Sequence, residues 1–343
     1  MLKGISNRVR RLADRFMNIG RDRIVVLLYH RVASCSMDPQ LLCVSPSRFE
    51  AQMRHLKENY NPVSAATLYK MIDGENILPR TVVVTFDDGY LDNLQCARPT
   101  LQKYEVPVTI FVTGDYIDNS IPLPSHLLEK CLLTNENIPE FFSLDINGER
   151  YSWNFSDCRC NNPKDQSWNV TLGNYPTERH RCYHDLHKIM KGLERRLRDN
   201  ILRTLTEWST IDCDDNDCRV MNSAELRRIS GDGLIEIGSH GMGHLKLSAQ
   251  SKNSQLQDIE KSKMLLRDII GRDVEYFAYP YGARGDVSLQ TRTAVKNSNY
   301  KMAFMNVPGV VTTRSDKLML PRHLVRDVDV ATFSTNLEKA FRG

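Results

Sequence analysis

Five short apolar runs, four of them followed by helical patterns, limit what this chain can fold into. They are Ile24–Tyr29, Thr81–Phe86, Val108–Val112, 234–238 and 276–279. Each is too short for a globular helix and most are β-branched, so they read as strands buried on both faces. Helical patterns lie between them at 47–60, 64–72, 92–104, 253–270 and 286–297. Ser47 and Glu50 have capping-box spacing, as do Asn222 and Glu225, and Gly271 stops the 253–270 pattern. Two further short strands are expected at 301–305 and 320–324. Alternating buried strands and helices predict an α/β fold with a mainly parallel sheet or barrel, and such folds place chemistry at the C-terminal strand ends.

The rhythm breaks between residues 119 and 222. That stretch holds Trp153, Trp168 and Trp208, and Cys131, Cys158, Cys160, Cys182, Cys213 and Cys218 out of nine cysteines. It contains a hairpin pattern at 145–155 turning on Asn147-Gly148, and a long helical pattern at 177–208. The stretch therefore reads as a large, mainly helical insertion between 24–118 and 223–343, placed to cap the barrel mouth and set substrate choice. Its Cys158, Cys160, Cys182, Cys213, Cys218, His180, His184 and His187 lack paired Cys-x₂-Cys spacing, so core or solvated groups are expected rather than a second metal site. Arg195, Arg196, Arg198 and Arg203 read as a solvated basic face.

Composition excludes several classes. A net charge of +4 gives no basic excess of the kind a nucleic-acid binder concentrates. No apolar run is long enough for a spanning helix. Residues 1–23 carry Lys3 and six arginines but no continuous apolar stretch, so no secretory signal is expected and the sequence reading places the chain in the cytoplasm with reduced thiols. Leu2, Ile5, Val9, Leu12, Phe16 and Ile19 recur at helical spacing among those charges. A basic amphipathic helix of this kind can make peripheral contact with an anionic membrane face, or pack one stripe on the domain.

Three motifs follow strands in one order. Thr85-Phe86-Asp87-Asp88-Gly89-Tyr90 places two adjacent carboxylates after a buried run, where like charges raise one pKa unless a cation or proton shares the site. Ser239-His240-Gly241-Met242-Gly243-His244 places two histidines four apart, within reach of one metal ion. Tyr279-Pro280-Tyr281-Gly282 is a rigid turn able to aim a backbone N–H into a pocket. Each alone is more often a plain turn or a solvated face. Together they form a credible facial metal set, Asp plus two His, with open positions.

These segments, with the strand Leu-Leu-Tyr-His-Arg-Val at 27–32, resemble the polysaccharide deacetylases of carbohydrate esterase family 4, the NodB homology domain. The resemblance covers roughly 24–118 and 223–330. It implies a distorted (β/α) barrel of the NodB type, with Asp87 as general base and Asp88, His240 and His244 holding a divalent metal, most often Zn2+. The implied reaction is removal of an N-acetyl group from an amino sugar in a polysaccharide or a lipid- or nucleotide-linked precursor. Tyr281 would supply the oxyanion N–H, with Pro280 and Tyr90 beside the substrate. The family's late Leu-x-His motif makes His323 the first candidate for general acid and His30 the second; alternatively Pro321-Arg322 is the motif proper. The family's arginine before the Pro-Tyr-Gly turn is Ala278 here, and Arg322 is expected to replace it. The alternatives are a deformylase or other N-deacylase at the same site, and a carbohydrate-binding pseudoenzyme, for which Ala278 is the only support.

Overall fold

The computed structural model describes residues 23–342 except Ser120, Asp157, 159–164 and 212–217. The expected basic helix of residues 1–23 therefore lies, apart from Arg23, outside the described residues.

The barrel sheet has eight strands among the described residues, seven of them in one continuous path: β1 (Ile24–Tyr29), β2 (Thr81–Phe86), β3 (Val108–Val112), β4 (Ile235–Ser239), β5 (Tyr276–Ala278), β6 (Met302–Phe304) and β7 (His323–Leu324); the short Asn61–Pro62 strand pairs with β2 off that path. The seven run in the order β6-β5-β4-β3-β2-β1-β7, and every neighbouring pair is parallel. The two ends meet just before β7, where Leu320 N–H donates to Ala303 O at 2.9 Å and Met305 N–H donates to Leu320 O at 2.8 Å. The result is the distorted parallel barrel expected from the alternation. β1 and β2 are buried along their whole length, which is why they read as continuous apolar runs rather than alternating ones.

Helices α1 (Pro46–Asn59), α2 (Ala65–Ile72) and α3 (Arg98–Tyr104) link the first strands. Ser64 caps α2 as its sequence suggests, accepting from Thr67 N–H. The capping box expected at Ser47 and Glu50 does not form. Pro46 occupies the first turn and starts α1 earlier, and Glu50 accepts from Lys103 and Tyr104 instead.

Residues of the interruption pack into a core cluster of their own, built on Leu127, Leu132, Phe142, Trp153, Trp168, Tyr183 and Leu205. The hairpin joins Phe141–Ile146 to Glu149–Asn154 around Asn147 and Gly148, whose φ angles are both positive. The helix expected over 177–208 is two helices, α4 (Glu178–Lys191) and α5 (Arg195–Ser209). They break at Gly192, and Leu193 O in the corner accepts from Gln250 Nε2 of the barrel at 2.9 Å. After the interruption, α6 (Ser223–Ser230) starts from the Asn222–Glu225 capping box. Then follow α7 (Lys252–Ile270), α8 (Leu289–Asn297) and α9 (Val330–Arg342). Asp286 does not open α8 as expected. Ser288 caps that helix, and Asp286 pairs with Lys191 and Lys246.

Cys35 and Cys43 form a disulfide, which the expectation of reduced thiols throughout did not include. No described helix is long and apolar enough to cross a membrane.

Candidate active site

β2 delivers Asp87 and Asp88 to the mouth of the barrel. The chain turns there through two left-handed residues, Asp88 (φ 72°) and Gly89 (φ 79°). A side chain at Gly89 would meet Val112 Cγ1 at 2.9 Å, so glycine is required for both conformation and space. β4 delivers His240, and the loop after it brings back His244 (φ 50°). β5 delivers Tyr281 (φ 62°). Asp88, His244 and Tyr281 are non-glycine residues in a region that costs of order 1–3 kcal/mol each, and such residues cluster where function fixes the backbone.

Ligand atoms of Asp88, His240 and His244 lie within 4.8 Å of one another, the one such group among the described residues. His240 Nε2 is 3.6 Å and His244 Nε2 3.4 Å from Asp88 Oδ1. His240 Nδ1 donates to Ala278 O at 2.8 Å, which leaves the Nε2 lone pair facing the carboxylate, the tautomer a metal ligand needs. Asp88 Oδ1 is buried with no hydrogen-bond partner among the described residues. A buried carboxylate oxygen left without a donor between two imidazole nitrogens fits a divalent cation.

The two aspartates are held in opposite states. Burial would raise the Asp87 carboxyl, but the Arg322 guanidinium outweighs it and holds the group at about 2. Arg322 is fully buried and grips Asp87 with both amino nitrogens at 2.7 Å. Its Nε donates to Met305 O at 2.9 Å. Asp88 has no cation beside it, so burial and then the charge on Asp87 push it up to about 8. Without metal, folded Asp88 thus keeps a proton that the unfolded chain loses at about pH 3.9, so the contribution of Asp88 to the stability of the metal-free protein falls as pH rises from about 4 to about 8. Asp88→Asn should remove that penalty. At pH 8 the metal-free variant is expected to melt several degrees above metal-free wild type, with the gap closing near pH 4, while Zn2+ no longer shifts its melting temperature.

A cavity of about 340 Å³ opens over this group, with Asp87, Asp88, His30, His240, His244 and Tyr281 in its wall. His187, Met190, Lys191 and Arg198 of α4 and α5 complete the wall, as do Gln40 and Leu42 of the loop closed by the Cys35–Cys43 disulfide. Among the described residues, no backbone acceptor is paired with the Tyr281 N–H.

His30 and His323 part company. His30 Nδ1 is buried without a hydrogen-bond partner among the described residues, and burial lowers the ring to about 4. His323 lies on the other side of β7, in a second cavity with Phe333 and Leu337, and its Nε2 pairs with Gly309 at 2.8 Å. Successive strand residues face opposite sides, so once Arg322 points at Asp87, His323 must point away. Tyr90 and Pro280 do not line the active cavity either. Tyr90 is buried beneath Arg31 and against His126, and Pro280 packs under Gly241.

Two supports escaped the sequence reading. Asp258 on α7 accepts from Met242 N–H at 3.0 Å and Gly243 N–H at 3.1 Å. Arg198 on α5, expected on a solvated face, is buried and donates to Gly243 O at 2.5 Å. Asp258 sits on the helix that follows the histidine motif and Arg198 on a helix 45 residues before Gly243, and no local signal marks either.

The family model for polysaccharide deacetylase matches residues 75–140 and 207–303. YxkH of Bacillus subtilis (strain 168), provisionally named a polysaccharide deacetylase, is 34% identical over 110 residues, which are 32% of this chain and 37% of that protein. The poly-beta-1,6-N-acetyl-D-glucosamine N-deacetylase of Escherichia coli (strain K12) is 33% identical over 96 residues, 27% of this chain and 14% of that one. The chain thus matches little more than a third of its curated relatives' lengths, or less. Among solved structures, IcaB from Ammonifex degensii superposes with a TM-score of 0.55 at 16% identity, over 94% of this chain and 99% of that one. At that identity the superposition speaks for the fold alone.

Proposed function

The chain is a member of the polysaccharide deacetylase family through residues 75–140 and 207–303, and on that premise we propose that it is a metal-dependent hydrolase that removes the N-acetyl group from an amino sugar in a glycan. The observation that carries the reading is the Asp87–Arg322 pair, at 2.7 Å, beside the Asp88, His240 and His244 group on one cavity floor. A binding protein needs the ligand set but has no use for a second carboxylate fixed in its charged form. Arg322 also fills the role left open at Ala278, which removes the one support for a pseudoenzyme.

Asp88, His240 and His244 would hold the ion, and a divalent metal supplies Lewis-acid polarisation and acidifies water. The rest falls to the chain's own side chains. Asp87, ionised at about 2, accepts the proton of the attacking water. The Tyr281 N–H faces the carbonyl oxygen as it gains charge. The leaving nitrogen must gain a proton, and two cavity histidines lie outside the ligand set, His30 and His187. His30 is the one that feels the Asp87 charge, whereas His187 feels Lys191 and His184, so His30 is the one assigned to carry it. Burial holds His30 neutral in the resting protein, so it relays a proton rather than storing one. His30→Gln is expected to lower kcat by about 10²–10⁴, whereas His323→Gln should stay within a few-fold of wild type. Equal effects of the two would remove His30 from the mechanism.

The E. coli relative is named for poly-β-1,6-N-acetyl-D-glucosamine, which makes β-1,6-linked N-acetylglucosamine oligomers the first substrate to try. Acetate release from them, lost on chelation and restored by Zn2+, supports the reading. Absence of acetate or formate release from any N-acylated amino sugar tried, with metal bound, argues for a binding role instead.

A further inference from the structure

We propose that Arg198 is a positioning residue for His244, so that the 119–222 insertion completes the metal centre rather than merely covering it. The inference rests on the metal reading above and extends it to a helix that shares no motif with the site.

The loop from Gly241 to His244 has its backbone polar groups taken up from three sides. Its amides at Met242 and Gly243 donate to Asp258, at 3.0 and 3.1 Å. Its first two carbonyls accept from Gly114 N–H at 3.0 Å and Asp115 N–H at 2.9 Å, and its last two face α5, where Arg198 Nη1 reaches Gly243 O at 2.5 Å and His244 O at 3.5 Å. The guanidinium is itself fixed, with Nη2 donating to Asp199 Oδ1 at 2.7 Å. His244 has φ 50°, a conformation a histidine does not keep without outside support. Removing Arg198 would leave the buried Gly243 carbonyl without its donor, next to the point where the backbone is strained.

Other contacts of the same corner converge on this loop and its neighbours. Arg195 pairs with Asp115, whose N–H donates to Met242 O at 2.9 Å. Gln250 accepts from Arg195 N–H at 3.2 Å. Lys191 pairs with Asp286 at 3.0 Å, and its Nζ lies 4.8 Å over the Tyr281 ring. That ring meets His244 edge-on at 4.8 Å between centroids. His244 is thus held through its backbone by α5 and against its imidazole by a tyrosine that α4 covers.

The test compares Arg198→Met, Arg198→Lys and the exposed Arg196→Met in otherwise intact protein. Zn2+ affinity is read by competition with a chromogenic chelator, and ligand geometry by the visible spectrum of the Co2+-loaded protein. Loss of an outer-sphere partner typically costs 10–100-fold in metal affinity. Arg198→Met is expected to lose affinity in that range and to shift the Co2+ bands, Arg198→Lys to recover part of both, and Arg196→Met to match wild type. If Arg198→Met does not fold, the Co2+ spectrum of Arg198→Lys decides, because lysine keeps the charge but not the geometry of the donors. A wild-type spectrum and an affinity within twofold of wild type in the decisive variant would overturn the proposal. Wild-type protein that takes up no Zn2+ or Co2+ would overturn the metal reading itself, and this inference with it.

Discussion

Arg322→Met is expected to lose activity and stability together. The guanidinium is fully buried, and both its amino nitrogens contact Asp87 at 2.7 Å. Removing one partner of a buried pair strands the other charge, at a cost of about 3–5 kcal/mol. Asp87 then has burial pushing its carboxyl up without the arginine that holds it at about 2. The base becomes protonated at a higher pH, so the acid limb of kcat/KM should move upward and activity at neutral pH should fall. Asp87→Asn combined with Arg322→Met removes both charges. That double variant should regain most of the lost stability, measured by denaturant unfolding, and none of the activity. A double variant no more stable than Arg322→Met alone would mean that the arginine acts through packing against Phe111 and Phe304.

Asp87→Asn has the largest expected effect on turnover alone. The amide keeps the shape of the carboxylate but cannot accept the water proton, and positioned acid–base groups are worth about 10²–10⁴ in rate. It leaves the Asp88, His240 and His244 ligand atoms in place. The expected signature is therefore a protein that binds Zn2+ in the same stoichiometry as wild type and releases acetate at least 10²-fold more slowly. It also leaves Arg322 as an unpaired buried cation, so some stability is lost. Substrate binding should be measured below the variant's melting temperature to keep the two effects apart.

Much of this site is legible because its residues sit at strand ends, where α/β folds gather chemistry. The Asp87–Asp88 pair, His240 and His244 each follow an apolar run visible in the sequence, and the barrel brings those runs side by side. The general-acid question was not legible. It turns on the register of β7, where Arg322 faces Asp87 and alternation sends His323 into another cavity. The Cys35–Cys43 disulfide was missed because two cysteines eight apart, in a chain with an odd count, carry no pairing signal. The interruption misled most. Its arginines follow helical spacing that suits a solvated face, yet Arg198 is buried against the histidine loop. Only tertiary placement of α5 reveals that, and charge patterning along one helix cannot.

The most direct test is a Zn2+ titration of the chelated protein, following bound metal and acetate release together on β-1,6-linked N-acetylglucosamine oligomers. Wild type should gain activity in step with metal, saturating at one ion per chain, while Asp87→Asn follows the same binding curve without comparable acetate release. Activity that survives chelation, or that is equal in Asp87→Asn and wild type, would contradict a metal-dependent deacetylase in which Asp87 is the base.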